Sequence, residues 1–356
     1  MEDKTIKLTE YGASEAQEIV TGLNLARTIA TSHQQYTIVS ERGQFRAQLA
    51  GRLLNLATEP EDYPTVGDWV QVRLPDNQAD TATIERLDER TTVFLRKAAG
   101  RRSDAQLVAA NIDWLFLCMA LDANFNVRRL ERYLAVAAAS GAQSAVVLTK
   151  ADKTTELAEQ LAAVAEVSGD ADVIVCDATR DEGMNELMAF MQPRLTYAFL
   201  GSSGVGKTTL INHLLGTSAL ATNEVRENDA HGRHTTTARQ LIKLPNGSLV
   251  IDTPGMRELG LLDANIDTTF EDITELAKGC RFSDCTHQHE PGCAVRQAVA
   301  CGELSEDRLA SYLQLQAEQS NNLLRGKARE NAKINRMFGS KKQMKSFMKE
   351  VRQKRR

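Results

Sequence analysis

The stretch Gly201-Ser202-Ser203-Gly204-Val205-Gly206-Lys207-Thr208 constrains this chain more than any other. The apolar run Tyr197 to Leu200 precedes it, and Thr209 to Leu215 follow with helical spacing. A glycine-rich loop between a strand and a helix belongs to an α/β sheet. There its N–H groups converge on a phosphate and the helix N-terminus favours the negative charge. In that setting Gly201, Ser202, Ser203, Gly204, Val205 and Gly206 wrap the phosphates, with Thr209 extending the cradle. Lys207 would hold the β/γ-phosphates and Thr208 a Mg²⁺ ion.

The flanking sequence supports such a sheet. Ile112 to Leu121, Ser144 to Leu148 and Asp172 to Cys176 are short apolar runs of strand type. Helical patterns separate them at Val127 to Ser140 and Glu156 to Val167, and another follows at Met184 to Met191. Alternation of this kind predicts a parallel sheet over residues 104–268, with helices on its faces.

Three further motifs fit around the phosphate loop. Leu249 to Gly255 is a strand ending in Asp-x-x-Gly, where Asp252 can reach Mg²⁺ and the Gly255 N–H can bind a γ-phosphate. Thr149-Lys150-Ala151-Asp152 closes the strand before it. Asp152 can accept two hydrogen bonds from the edge of guanine, where adenine presents the opposite pattern, so it selects GTP. Thr149 stands where Asn is usual and is expected to loosen the tie to the phosphate loop. The Lys150 stem would lie along the nucleotide. Asp177-Ala178-Thr179 would supply backbone N–H groups to the guanine carbonyl. Between the phosphate loop and Asp252 lies Gly232-Arg233-His234-Thr235-Thr236-Thr237, where a γ-phosphate-sensing segment belongs; Thr236 is favoured over Thr235 as a Mg²⁺ ligand.

Outside the sheet, residues 36–103 hold five short strand candidates: Tyr36 to Val39, Phe45 to Ala50, Asp68 to Leu74, Thr81 to Ile84 and Thr91 to Leu95. Five such strands fit an OB-type β-barrel, a fold often used on nucleic acid. Residues 1–35 read as a surface extension with one amphipathic helix, about Ser14 to Ile29. Residues 269–320 carry Cys280, Cys285, His287 and Cys293 in the spacing C-x₄-C-x-H-x₅-C, which suits one structural Zn²⁺ in a small C-terminal module. His289 and Cys301 are spare candidates. Cys118 and Cys176 sit in apolar runs and read as core.

A net charge of −4 over 356 residues hides an asymmetry. Residues 321–356 carry 13 Lys and Arg against 2 acidic groups, a local charge of +11, leaving −15 on the rest. A basic helical tail on an acidic body predicts an anionic partner such as RNA. The beginning, Met1-Glu2-Asp3-Lys4, has no basic-then-apolar signal pattern, and no apolar run reaches the length of a membrane span. A cytoplasmic monomer without membrane contact is the expectation.

The motif order is base recognition, base backing, phosphate loop, switch segment, then Asp-Thr-Pro-Gly. In ordinary small GTPases the phosphate loop comes first and base recognition last, so this chain resembles the circularly permuted GTPases. With a preceding barrel, a following Cys/His cluster and Gly-Arg-His-Thr-Thr-Thr, residues 36–320 resemble the ribosome small-subunit-dependent GTPase family called RsgA or YjeQ. The resemblance implies a GTPase converting GTP to GDP late in maturation of the 30S subunit, stimulated by that subunit and touching 16S rRNA. It favours the four named Zn²⁺ ligands. Met256 stands where many GTPases carry a water-orienting Gln, and the resemblance supports His234 in that catalytic role. Two other readings remain: an RNA-binding assembly factor that uses GTP as a conformational lock, and a phosphate-loop ATPase or kinase.

Overall fold

The computed structural model describes residues 5–32, 35–57, 60–77, 79–97, 105–178, 180–216, 239–252 and 266–320. The chain divides into two compact units, 1–271 and 272–356.

The first unit opens with β1 (Asn24–Ser32), β2 (Gln35–Ser40), β3 (Gly43–Leu49), the short α1 (Gly51–Leu56), β4 (Trp69–Arg73) and β5 (Ala82–Leu87). These five strands close a barrel. The pairs β1–β2, β2–β3, β4–β5 and β1–β4 are antiparallel, and β3–β5 is parallel. Alternate residues fill it: Ala26, Tyr36, Ile38, Phe45, Val70, Val72 and Ile84 are buried together.

Two sequence expectations are corrected here. The helix expected to end at Ile29 is absent, because Asn24–Ser32 is the first barrel strand. Its β-branched residues Thr28, Ile29 and Thr31 suit a strand, and pairing with β2 and β4 overrides the helical spacing. The fifth strand candidate is not a barrel strand. It forms β6 (Val93–Lys97), which among the described residues pairs with β7 (Ala105–Ala110) in a separate two-stranded sheet. The barrel therefore takes its fifth strand from the segment read as an extension.

The remaining elements of this unit are β8 (Trp114–Ala120), α2 (Val127–Ser140), β9 (Gln143–Thr149), α3 (Leu157–Ser168), β10 (Asp172–Val175), α4 (Met184–Phe190), β11 (Thr196–Leu200), α5 (Lys207–Leu215), β12 (Arg239–Lys243), β13 (Leu249–Asp252) and α6 (Ile266–Thr269). From β8 to α5 they follow the predicted alternation; β12, next to β13 in the chain, and α6 fall outside that prediction. Strands β10, β9, β8, β11 and β13 run parallel in that spatial order, and β12 is added antiparallel. Phe116 stacks on Tyr197 and meets Phe199 edge-on, both at 5.1 Å, which locks β8 against β11.

Barrel and parallel sheet share strand β1. Its register shifts between Thr28 and Ala30, and beyond the shift Ala30 and Thr31 pair with Gln240 and Arg239 of β12. A bulge of this kind re-aims a strand, here from one sheet into the next. Beside it Arg27, 2% exposed, donates to Gly67 O at 3.2 Å, Asn111 O at 3.0 Å and Thr196 Oγ1 at 2.9 Å, and to Tyr11 O. One guanidinium thus joins the N-terminal segment, the barrel and the start of β11. Burial lowers its pKa to about 10, against the pull of Asp113 and Asp68. Gly67 is required at this junction. Its φ is +93°, and a Cβ there would lie 2.0 Å from Ala110 O.

In the second unit, α7 (Glu271–Ala277) runs on from the unit boundary, α8 (Ala294–Cys301) follows the cysteine cluster, and residues 306–320 are helical. The basic tail 321–356 lies outside the described residues, as does the switch segment.

Candidate nucleotide site and metal centre

The carboxyl ends of the parallel strands define the first site. From β8 the chain steps to β9 and β10 on one side, while β11 and β13 lie on the other. A crevice forms at such a reversal, and ligands of open α/β sheets bind there. The phosphate loop leaves β11, the base loop leaves β9, and the tip of β8 lies between them.

Gly201 starts the phosphate loop against β8, where a Cβ would sit 2.6 Å from Cys118 O. Gly204 and Gly206 have φ of +75° and +101°, which turn the chain into α5. Val205 is buried and anchors the loop in the core, while Ser203 and Gly204 face outward. Lys207 Nζ donates to Gly201 O at 2.6 Å and Ser202 O at 2.8 Å, so the ammonium lies over the loop it serves. Burial pulls its pKa below the usual range, and Cys118 and Asp252 oppose that pull. Asp252, at the tip of β13, is pushed up by burial and held down by Lys207. A half-buried carboxylate facing this lysine is a site that a further cation would favour in its charged form. Thr208 and Thr209 occupy the first turn of α5.

The base loop is tied more tightly than its sequence suggests. Thr149 is 4% exposed, and its Oγ1 donates to Val205 O at 2.6 Å. The hydroxyl at this position fastens the Thr149–Asp152 loop to the phosphate loop directly. Lys150 takes a left-handed backbone, φ +57°, and its Nζ donates to Asp122 Oδ2 at 2.9 Å. Asp152 pairs with Lys153 at 2.7 Å, and that bond holds its pKa below the usual carboxylate range.

The base-backing loop needs one adjustment. Asp177 N–H donates to Glu182 O at 2.8 Å and forms an isolated bridge with that residue, so this amide is not directed at a base. Ala178 follows at the turn, and Thr179 lies outside the described residues. Thr236, His234 and Gly255 are likewise outside them. Asp122 was not singled out by any motif; only its position at the tip of the strand beside β9 could have marked it.

The second site is local to the second unit. Sγ of Cys280, Cys285 and Cys293 and Nδ1 of His287 lie within 4.8 Å of one another. Cys280 Sγ is 3.7 Å from His287 Nδ1 and 3.9 Å from Cys293 Sγ, and His287 Nδ1 is 3.4 Å from Cys293 Sγ. A tetrahedral Zn²⁺ with ordinary bond lengths has ligand–ligand edges of about 3.5–3.8 Å. The donor set therefore fits zinc in both chemistry and spacing, and it closes all four positions.

Electrostatics agree. Burial works against the Cys280 thiolate, but N–H groups of Val295 and Ala294 at the start of α8 donate to it and hold its pKa below the usual range. Burial and the neighbouring thiols push Cys285 up to about 11, since adjacent thiolates repel without a cation. Burial lowers the pKa of His287, which favours the neutral, ligating imidazole. His289 and Cys301 do not join the cluster.

The RsgA GTPase family model matches residues 87–262. Small ribosomal subunit biogenesis GTPase RsgA 2 of Lactiplantibacillus plantarum is 48% identical over 346 residues, covering 96% of this chain and 97% of its own. The chain belongs to the RsgA GTPase family. RsgA of Opitutus terrae is 44% identical over 307 residues, covering 83% of this chain and 84% of its own. The crystal structure of YjeQ from Thermotoga maritima, 24% identical, matches the fold with a TM-score of 0.61 over 83% of this chain and 98% of that one. YloQ, described as a circularly permuted GTPase, is 23% identical and matches at 0.60 over 87% and 98%. Strands β9, β11 and β13 carry the Thr149–Asp152, Gly201–Thr208 and Asp252 motifs in that permuted chain order, and, as a member of this family, the chain is a GTPase.

Proposed function

We propose that this protein hydrolyses GTP as a maturation factor of the small (30S) ribosomal subunit, binding it through 16S rRNA and leaving after hydrolysis. The curated relatives are named small ribosomal subunit biogenesis GTPases, which supports the partner. The nucleotide reading is supported by the Thr149–Val205 hydrogen bond, which ties the Thr149–Asp152 loop to the Gly201–Thr208 loop.

In this reading Asp152 accepts from the guanine edge and Ala178 backs the base. The amides of Gly201 to Thr209 wrap the phosphates, and Lys207 moves its ammonium onto the β- and γ-oxygens. Thr208, Asp252 and Thr236 would hold Mg²⁺, and Gly255 would donate to the γ-phosphate. When bound there, the ion would supply positive charge to the transferring phosphoryl group. His234 orients the attacking water, which Met256 cannot do. Zn²⁺ on Cys280, Cys285, His287 and Cys293 is structural, since the four protein ligands leave no open position.

Among the described residues no helix is long and apolar enough to cross a membrane. A cytoplasmic monomer, with the barrel, zinc module and tail 321–356 facing rRNA, completes the proposal. GTP turnover with and without small subunits tests it, with ATP and large subunits as controls. Strong stimulation by the small subunit alone is expected. Slow turnover indifferent to every ribosomal particle would remove the partner.

A further inference from the structure

Lys150 sits in a backbone conformation that L-residues adopt at a cost, with φ of +57° and ψ of +43°. Its side chain is held at the far end as well, by Asp122 Oδ2 at 2.9 Å. Asp122 is itself fixed. Its Oδ1 accepts from Asn124 N at 2.8 Å, and its carbonyl accepts from Phe125 N at 2.8 Å. One residue earlier, Leu121 N donates to Thr149 O at 2.9 Å, so the tips of β8 and β9 are pinned together beside this pair. The pair is partly shielded, with side-chain exposures of 33% for Lys150 and 20% for Asp122.

A lysine tied at its ammonium has an apolar stem with fewer free rotamers. In the guanine reading Asp152, two residues on, would read the base by its edge, and the Lys150 stem beside it would offer a wall for the face of the ring. Burial raises the Asp122 pKa, but hydrogen bonds from Lys150 and Asn124 outweigh it and keep the carboxylate ionised. Lys153 occupies Asp152, so Asp122 is the carboxylate placed to hold Lys150.

We propose that Asp122 is a positioning residue for guanine-nucleotide binding, acting through Lys150 to hold the stem against the base. The proposal rests on the guanine reading above. It separates two roles in the base loop: Asp152 selects the base, and the Asp122–Lys150 pair supplies sequence-blind affinity for a ring.

The test is titration of the full-length protein with GDP, IDP and ADP. IDP lacks the 2-amino group that Asp152 reads. For Asp122→Ala, GDP and IDP should both weaken by about fivefold, the scale of one partly screened, charge-assisted hydrogen bond. Their ratio should stay at the wild-type value, and KM for GTP should rise while kcat holds. Asp122→Asn keeps the shape and drops the charge, and should fall between the two without a change in thermal midpoint. Unchanged GDP affinity in both variants would overturn the proposal, as would a collapse of the GDP/IDP ratio. A wild-type protein that binds ADP as well as GDP would instead overturn the guanine reading itself.

Discussion

Cys280, Cys285, His287 and Cys293 meet within one short stretch of chain, whereas the proposed nucleotide site gathers Thr149, Lys150, Gly201 to Thr208 and Asp252 from the tips of three parallel strands. The cluster is built by sequence proximity and one turn, with His287 at φ +59° bringing the chain back. The crevice exists only because the sheet reverses its strand order between β8 and β11. The two regions should therefore fail differently. A local donor cluster in a small module would depend on the ion it holds, and a crevice in a large sheet depends on the core beneath it.

The largest effect belongs to the cluster. Structural zinc supplies about 10–16 kcal/mol of apparent folding free energy in small modules at neutral pH. Chelation, or Cys293→Ser, is expected to melt α8 while GDP affinity in the first unit holds. Circular dichroism alongside a GDP titration checks this. Joint loss of helix and nucleotide binding would show that the two regions do not fail separately.

On the nucleotide side, Lys207→Ala should cut kcat for GTP by at least about 100-fold, the scale of losing one preorganised transition-state donor. Zinc content and thermal midpoint should be unchanged, because among the described residues Lys207 bonds to carbonyls of its own loop. Wild-type turnover in this variant would refute the site.

Arg27 joins barrel to parallel sheet and lies outside both sites. Arg27→Met keeps the apolar stem but leaves Asn111 O, Tyr11 O and Thr196 Oγ1 without this donor, while Gly67 O keeps its bond from Asn111 Nδ2. A loss of about 3 kcal/mol in the first unit is expected, since buried acceptors left unpaired cost ~1–3 kcal/mol each and partly relax. Urea unfolding should report it, with the zinc module's transition unmoved.

The same contrast explains what the sequence revealed. The phosphate loop, Asp252 and the cysteine cluster were legible because each is a local pattern with a fixed chemical use. Strands β8 to β11 were legible because apolar runs alternate with helical spacing. Strand β1 was not, since Ser14 to Ile29 can be read with a helical spacing and only partners distant in sequence make Asn24–Ser32 a strand. β6 carries the same strand signal as the barrel strands, and nothing local says which partner it takes. Thr149 looked like a weakened motif because the pattern records residue type, while the bond it makes depends on where Val205 lies in space.

Thr149→Val should have the smallest effect and bears most directly on how the crevice is held. Valine is close to threonine in shape and lacks only the hydroxyl, so the buried packing at this 4%-exposed position survives. What goes is one hydrogen bond to Val205 O, a contribution of about 1 kcal/mol for a neutral pair. GTP binding should weaken by about fivefold, with guanine selectivity intact because Asp152 is untouched. Thr149→Asn tests the geometry from the other side: a longer side chain must reach the same carbonyl from a buried position already filled by a hydroxyl. If Asn restores what Val loses, the tie between the two loops is what matters. If both bind GTP as the wild type does, β8 alone sets the spacing of the crevice.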